Sequence, residues 1–567
     1  MQHRNQNELP KVAYFCMEFG LDEKLPIYSG GLGILSGDIL KAAHDLGFPM
    51  VGVGILWKEG YTNQFIDKNR YPYDTPQDYD RTQLEDTGVT VKLWIRQEEV
   101  ICRVWKTERY GNVPLYLLDA DVEGQPHGWM TRQLYGGVAQ DRIAAEMILG
   151  IGGVRALREL GFNPDIFHLN EGHAVFAGFE LIKEKLEQGK SFDHAWEETR
   201  QEIVFTTHTP VMAGNEVHDH QILNLMGAWN GLEYDQVVRI GGDPFNMTVA
   251  GLRLSYMANG VSQLHGMTAR AMWRGNIGTA PIISVTNGVH VGSWQNEGIR
   301  NAYFSEGNLW KSHLVAKRQL VDYVEQSTGV RLEIDNLIIG FARRAAAYKR
   351  SGLIFQRPEV IEPLLQDRTV QLVFAGKAHP QDKAGKDILA KVLQMVDRYP
   401  QSVVFLENYD MAIGRLMTSG CDVWLNNPQR PLEASGTSGM KAALNGVLNF
   451  SVLDGWWPEG CIHGVNGWQI GGGYEGPEQT KFDAAQLYEV LLNEVIPTYY
   501  ENRPKWVEMM RNSIAMGLHR FSTERMLVEY FNLLYLPSTS LRRIKGQIRS
   551  VQSNSDSSQL EPVAQEK

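Results

Sequence analysis

KVAYFCMEF at residues 11–19, GDILKAAHDLG at 37–47 and PMVGVGILW at 49–57 carry the reading of the fold. The outer two are short apolar runs and the middle one is amphipathic, which is the alternation of a βαβ unit. The pattern continues through DIFHLNEGH (165–173), EIVFTTHTP (202–210) and APIISVTNG (280–288). After Asn287 it restarts with NLIIGFARRA (336–345), VQLVFAGKA (370–378), SVVFLENYD (402–410) and CDVWLNNP (421–428). Each run passes into polar residues or glycine where a parallel sheet exposes its carboxyl ends. The expected architecture is therefore α/β: two facing, doubly wound, Rossmann-like domains, residues 1–287 and 288–536, with a cleft between them. The loop TNGVHVGSW (286–294) is the expected boundary, and the helical stretch 505–535 closes the structure after the second sheet. Residues 537–567 read as a polar tail with too little apolar surface to offset the entropy of ordering it.

Composition sets bounds around this reading. A chain of 567 residues, 43% apolar, exceeds one ordinary core and suits two domains of roughly 250 residues each. The net charge of −11, from 55 basic and 66 acidic residues without long runs of one sign, argues against nucleic acid as a partner. Cys16, Cys102, Cys421 and Cys461 lie far apart with no Cys/His ligand spacing, so neither a disulfide scaffold nor a metal centre is indicated, and a reducing cytoplasm is expected. No stretch reaches the roughly 18 apolar residues of a membrane span. The aromatic share of 10% suits a carbohydrate cleft, since aromatic faces stack on the apolar faces of sugar rings.

Three segments carry chemistry. SGGLGIL (29–35) lies between an apolar run and an amphipathic helix, and its glycines let backbone N–H groups approach an anion; a tight turn is the plainer alternative. GFARRAAAYKRSG (340–352) sets Arg343, Arg344, Lys349 and Arg350 after a strand, either as a dianion site or as a solvated basic face. PLEASGTSGMKAALNG (431–446) surrounds Glu433 and the single Lys441 with small residues. A lysine in such a crowded place needs a reason, because burying an unpaired ammonium is costly, and a Schiff base with an aldehyde cofactor supplies one. A helix-end lysine is the alternative.

EASGTSGMKAALN (433–445) resembles the segment around the pyridoxal-phosphate lysine of the glycogen and starch phosphorylases. SGGLG, FTTHTP (205–210), TNGV (286–289), RRAAAYKR (343–350) and FLENYD (405–410) resemble further segments of that family in the same order, so the likeness runs from about Lys11 to about Gly455. The resemblance implies a glycosyltransferase of GT-B architecture that cleaves terminal α-1,4-linked glucose from a glucan with inorganic phosphate, giving glucose 1-phosphate with retention. It implies pyridoxal 5'-phosphate on Lys441, with Thr437 and Ser438 on the cofactor phosphate and Arg343 and Tyr409 beside the cofactor. Gly31, Arg344 and Lys349 fall at positions that hold the substrate phosphate. His208, Asn287, Glu433, Ser435 and Gly436 fall at positions that hydrogen-bond the terminal glucose. Glu18 is read as a support of the cleft. Arg343 stands where the family usually has lysine, which exchanges a point charge for a planar fork.

In the family's scheme the phosphate protonates the glycosidic oxygen, the cofactor phosphate relays that proton, and Lys441 is an anchor and no nucleophile. The segment before the first strand is short beside the long phosphorylases, so their N-terminal regulatory contacts are not expected; the connection from the glycine loop to DIFHLNEGH is also short, so their gate loop and dimer are not carried over and the oligomeric state stays open. The main rival is a sugar-nucleotide-dependent glucan synthase of the same fold. Lys441 in its surroundings separates the two, since a synthase needs no aldehyde cofactor. A catalytically silent glucan-binding protein is the other rival, and the presence of the basic run, Lys441 and His208 argues against it.

Overall fold

The run Val12–Phe15 is buried along its whole length, as a continuous apolar run must be, and it becomes a central strand of a nine-stranded sheet in a computed structural model that describes residues 9–539. Of the expected polar tail, 537–567, the first three residues continue the last helix with Ser538 buried, and residues 540–567 lie outside the described residues. From one edge the strands are Ile282–Ser284, Met257–Gly260, Ile203–Thr206, Ile166–Asn170, Val12–Phe15, Met50–Ile55, Leu115–Asp119, Glu98–Thr107 and Glu85–Ile95. All neighbours pair in parallel up to Leu115–Asp119, and the last two strands form an antiparallel hairpin on that edge. The hairpin went unread in the sequence because its apolar residues alternate with polar ones, leaving one face exposed, whereas the parallel strands are unbroken apolar runs.

The second sheet is wholly parallel: Val403–Leu406, Val370–Ala375, Leu337–Ala342, Val423–Asn426, Leu448–Val452 and Gly467–Ile470. The expected pair of doubly wound sheets is what the chain forms. In each, strand order reverses beside a central pair, Val12–Phe15 with Ile166–Asn170 and Leu337–Ala342 with Val423–Asn426. Ligands of open α/β sheets bind outside the carboxyl ends of strands at such reversals.

The C-terminal helices depart from the expected boundary. Trp506, Met509, Met510 and Ile514 pack in the second core, but Met526, Leu527, Tyr530, Phe531, Leu534 and Tyr535 pack in the first. The chain thus crosses between lobes twice, near residues 285–296 and near 521–523. The two crossings lie side by side, with Val289 N donating to Phe521 O at 2.9 Å and Thr523 N to Val289 O at 3.0 Å. Gly288 is required there, since a Cβ would stand 2.3 Å from the Ser522 carbonyl oxygen. Away from this hinge the lobes also meet through Gln64, whose amide exchanges hydrogen bonds with the backbone of Ala378 at 3.0 and 2.8 Å, and through Lys386–Asp74.

Candidate active site

The carboxyl ends of both sheets open on one cavity of about 1030 Å³, and every site residue singled out in the sequence except Arg350 lies in its wall. From the first lobe, Gly31 begins the helix Gly31–Leu46, which has no side-chain cap and no acidic residue within its first turn, and Gly30 and Gly31 line the cavity at its start. A Cβ at Gly30 or Gly31 would meet no protein atom within 4 Å, whereas one at Gly37 would stand 2.0 Å from the Gly20 carbonyl oxygen. Packing therefore explains Gly37, and open space for a ligand explains Gly30 and Gly31. Glu18 holds the turn: its carboxylate accepts from Ser29 N, from Gly30 N at 3.2 Å and from the Tyr135 hydroxyl at 3.0 Å. Burial raises this carboxyl above its ordinary range despite those bonds.

His208 follows the strand Ile203–Thr206. Its Nε2 lies 2.7 Å from Asn170 Oδ1, and Asn170 spends its Nδ2 on Ser36 Oγ at 3.2 Å, so Nε2 carries the proton and Nδ1 is an acceptor. Burial and the neighbouring histidines push its pKa down to about 3, so the ring stays neutral. Asn287 is buried with its Oδ1 lacking any hydrogen-bond partner, and Ser435 Oγ is a second buried orphan in the same wall. Two unsatisfied polar atoms facing one cavity are suited to hydroxyl-bearing ligands.

The second lobe brings the charges. Arg343 and Lys349 both bond Glu433 Oε2, and Arg343 also bonds Asn426 Oδ1. Burial would raise the Glu433 carboxyl, but Arg343 and Lys349 outweigh it and hold it at about 2. Glu433 Oε1 accepts no hydrogen bond among the described residues, so a permanent carboxylate keeps one oxygen available. Asp454 accepts from Glu433 N at 2.9 Å, and burial, reinforced by the Glu433 charge, pushes it up to about 7. Arg344 is exposed in the cavity wall with no hydrogen bond or ion pair among the described residues. Arg350, read in sequence as the fourth cation of this group, turns away: its guanidinium bonds Asp483 at 2.7 Å and the carbonyls of Asn427 and Pro428. A left-handed backbone at Arg350, φ +51°, redirects it.

Lys441 lies in the helix Ser438–Leu444, buried, with no hydrogen bond or ion pair to its ammonium among the described residues. Its Nζ stands 3.6 Å from the centroid of the Trp294 ring, and Trp294 Nε1 donates to Asp38 at 3.0 Å. Burial lowers Lys441 to about 8, with Asp38 opposing. Gly436, with φ +74°, turns the chain ahead of this helix, and the hydroxyls of Thr437 and Ser438 stand at its start; Trp424 Nε1 donates to Ser438 Oγ at 3.1 Å. Asn445 ties the far end of the helix to the hinge by donating to Trp294 O at 2.8 Å and to Lys441 O at 2.9 Å. Tyr409 stands half-buried in the same wall, its phenol raised by desolvation. A reactive amine, two hydroxyls and small residues with open space fit an aldehyde cofactor bearing a phosphate.

Several wall residues were missed in the sequence. Glu171 and Lys377 follow directly on strands that were recognised, and that position was the available signal. Glu171 adopts φ +74°, ψ 174°, a conformation costing a non-glycine residue about 1–3 kcal/mol. It accepts from His208 N at 2.9 Å and Thr209 Oγ1 at 3.0 Å, and burial raises it to about 7. Lys377 donates to Thr62 O at 2.9 Å and is lowered by burial to about 8. Asp38 and Trp294 gave no motif, because their role arises only when the hinge folds against the first helix.

Residues 300–457 match a family described as carbohydrate phosphorylase. The chain is 41% identical to a maltodextrin phosphorylase of Thermococcus litoralis, covering 92% of this chain and 70% of that protein. It is 39% identical to a glycogen phosphorylase of Mycobacterium tuberculosis over 94% of this chain and 72% of the relative. A glycogen phosphorylase of Aquifex aeolicus is 34% identical over 92% of this chain and 86% of its own length.

Proposed function

The chain belongs to the carbohydrate phosphorylase family and is an α-glucan phosphorylase, and from that premise we propose that its cleft binds pyridoxal 5'-phosphate on Lys441 and transfers terminal α-1,4-linked glucose from a glucan to inorganic phosphate with retention. The observation that carries the reading is Lys441 itself. An ammonium buried with only the Trp294 ring face beside it and no hydrogen-bond or ion-pair partner is a cost the fold has little structural reason to bear, and a depressed pKa makes its amine nucleophilic toward an aldehyde. Pyridoxal phosphate, when bound, supplies that aldehyde together with a phosphate dianion beside the reacting centre. Thr437 and Ser438 offer hydroxyls to that phosphate, Arg343 and Tyr409 flank it, and the Trp294 face bounds the lysine.

The rest of the wall divides between the two substrates. Arg344, Lys349 and the N–H groups at Gly31 attract inorganic phosphate. Asn287 Oδ1, Ser435 Oγ, Glu433 Oε1, the backbone at Gly436 and His208 Nδ1 are free to meet sugar hydroxyls. Glucan of n residues and phosphate give glucan of n−1 residues and glucose 1-phosphate, the proton passing from phosphate to the departing glycosidic oxygen. Positive charge developing on the sugar ring is stabilised by phosphate oxygens held in place by these cations. Enclosure between lobes excludes water, which would give free glucose instead. A cytoplasmic setting, where phosphate and glucan meet, suits this chemistry. A sugar-nucleotide synthase gains nothing from Lys441 and is not favoured.

The test is a product assay with Arg344→Ala. Loss of a charge-assisted contact worth about 1.5–3 kcal/mol lowers kcat/KM for phosphate by about ten- to a hundredfold, with a smaller change in glucan affinity. Release of free glucose at a phosphate-independent rate by the wild type would overturn the reading.

A further inference from the structure

Behind the cleft wall, Glu146 of the helix Ala139–Met147 meets Glu216 and His218, which lie at and just before the short strand Val217–His218. One ligand atom from each lies within 4.8 Å of the other two. His218 Nε2 stands 3.4 Å from Glu146 Oε2 and 3.8 Å from Glu216 Oε1. A tetrahedral zinc with bonds of about 2.0–2.1 Å separates its ligand atoms by about 3.3–3.4 Å, so the imidazole nitrogen is already near that spacing from both carboxylates.

The groups are also unsatisfied. Glu146 is fully buried and neither of its carboxylate oxygens accepts a hydrogen bond; its carboxyl neighbour is Glu216, with which it shares a proton when no cation is bound. His218 Nε2, on a side chain only 5% exposed, has no hydrogen-bond partner either, although it stands within 3.8 Å of both carboxylates. The other charged neighbours are Arg142, whose Nη1 bonds Glu216 Oε1 at 2.9 Å, and His173, which lies in the same stretch of cavity wall with its Nδ1 unpartnered. One guanidinium leaves two carboxylates short of one positive charge. A proton shared between the carboxyls would answer the charge but leave the imidazole nitrogen unpaired. A divalent cation answers both.

We propose that Glu146, Glu216 and His218 form a binding site for a divalent cation of zinc type. One nitrogen and two carboxylate donors suit zinc or cobalt; magnesium and calcium demand more oxygen ligands. A fourth position opens toward the cleft, since Glu216, Arg142 and His173 line the cavity, and it takes water or a sugar hydroxyl. The site is independent of the phosphate chemistry. A second histidine–carboxylate group, Asp45, His290 and Glu524, serves as a control, because both nitrogens of His290 are already bonded, to Ser293 Oγ and Asp45 Oδ2 at 2.9 Å each.

The test uses the full chain, stripped with a chelator and titrated with zinc and with cobalt. The wild type takes up stoichiometric zinc, gains melting temperature with zinc but not with magnesium, and gives the intense visible absorption of four-coordinate cobalt. His218→Gln and Glu146→Gln lose all three responses, and His290→Gln keeps them. Wild-type protein that takes up no zinc, or His218→Gln that binds zinc as the wild type does, overturns the proposal and leaves a proton-sharing structural group. If Glu146→Gln fails to fold, the His218→Gln titration and the cobalt spectrum of the wild type still decide the matter.

Discussion

Lys441 is the residue on which the energetics and the chemistry meet. Its ordinary pKa of 10.5 falls to about 8 because burial disfavours the ammonium. With a folded pKa below the unfolded one, the ligand-free fold bears the whole cost of the charge below about 8 and sheds it as pH rises from 8 toward 10.5. Lys441→Met should therefore raise the melting temperature of the ligand-free protein at neutral pH, and melting curves against pH should show the wild type closing the gap in the alkaline range. A gap that does not change with pH would mean that the lysine is not buried as a charge. Glu433 has the opposite sign. Its folded pKa of about 2 lies below the ordinary 4.5, so its pairing with Arg343 and Lys349 contributes stability above about 4.5 that is lost as pH falls toward 2. Glu433→Gln removes the charge that both cations share and leaves them unpaired in a buried place, at a cost of about 3–5 kcal/mol. Denaturant titration at neutral pH should show that loss, shrinking in acid, together with a large fall in kcat.

The helix Gly31–Leu46 and the loop before it show how two glycines of one segment serve different ends. Gly37→Ala would drive a methyl to 2.0 Å from a carbonyl oxygen that cannot swing aside, and should destabilise the fold by several kcal/mol or prevent it from forming. Gly31→Ala meets open space and should leave the melting temperature within about a degree while lowering turnover with phosphate, because the methyl intrudes where the anion approaches. Calorimetry and kinetics on the pair separate the two effects. Sequence could locate this helix and both sheets because parallel strands buried on both faces are unbroken apolar runs ending at recognisable polar positions. It could not locate the edge hairpin Glu85–Thr107, whose exposed face dilutes the apolar signal. Nor could it foresee that Arg350 leaves the basic cluster, since a single left-handed residue redirects the side chain without altering the motif. The residues set around Lys441 by the hinge, Asp38 and Trp294, lie far apart in sequence and carry no spacing that betrays their meeting.

At the scale of the whole molecule, the cleft exists because two sheets present their carboxyl ends to each other and the chain ties them together twice. The return of residues 523–535 into the first core was hidden in the sequence, because a helix's apolar face does not reveal which sheet will cover it. That return sets the hinge at Val289 and Ser522, close to the Trp294–Lys441 contact, so Lys441 and the junction of the lobes are parts of one assembly. Whether Lys441 carries the cofactor decides between a phosphorylase site and a merely structural lysine. The most direct measurement is to treat the purified protein with borohydride, map the reduced adduct by mass spectrometry and assay glucose 1-phosphate formation on the same sample. A pyridoxyl group on Lys441 alone, with loss of absorption near that of a bound aldehyde cofactor and phosphate-dependent product before reduction, is the predicted result. A colourless protein that takes up no pyridoxal phosphate, or an adduct on any other lysine, would contradict it.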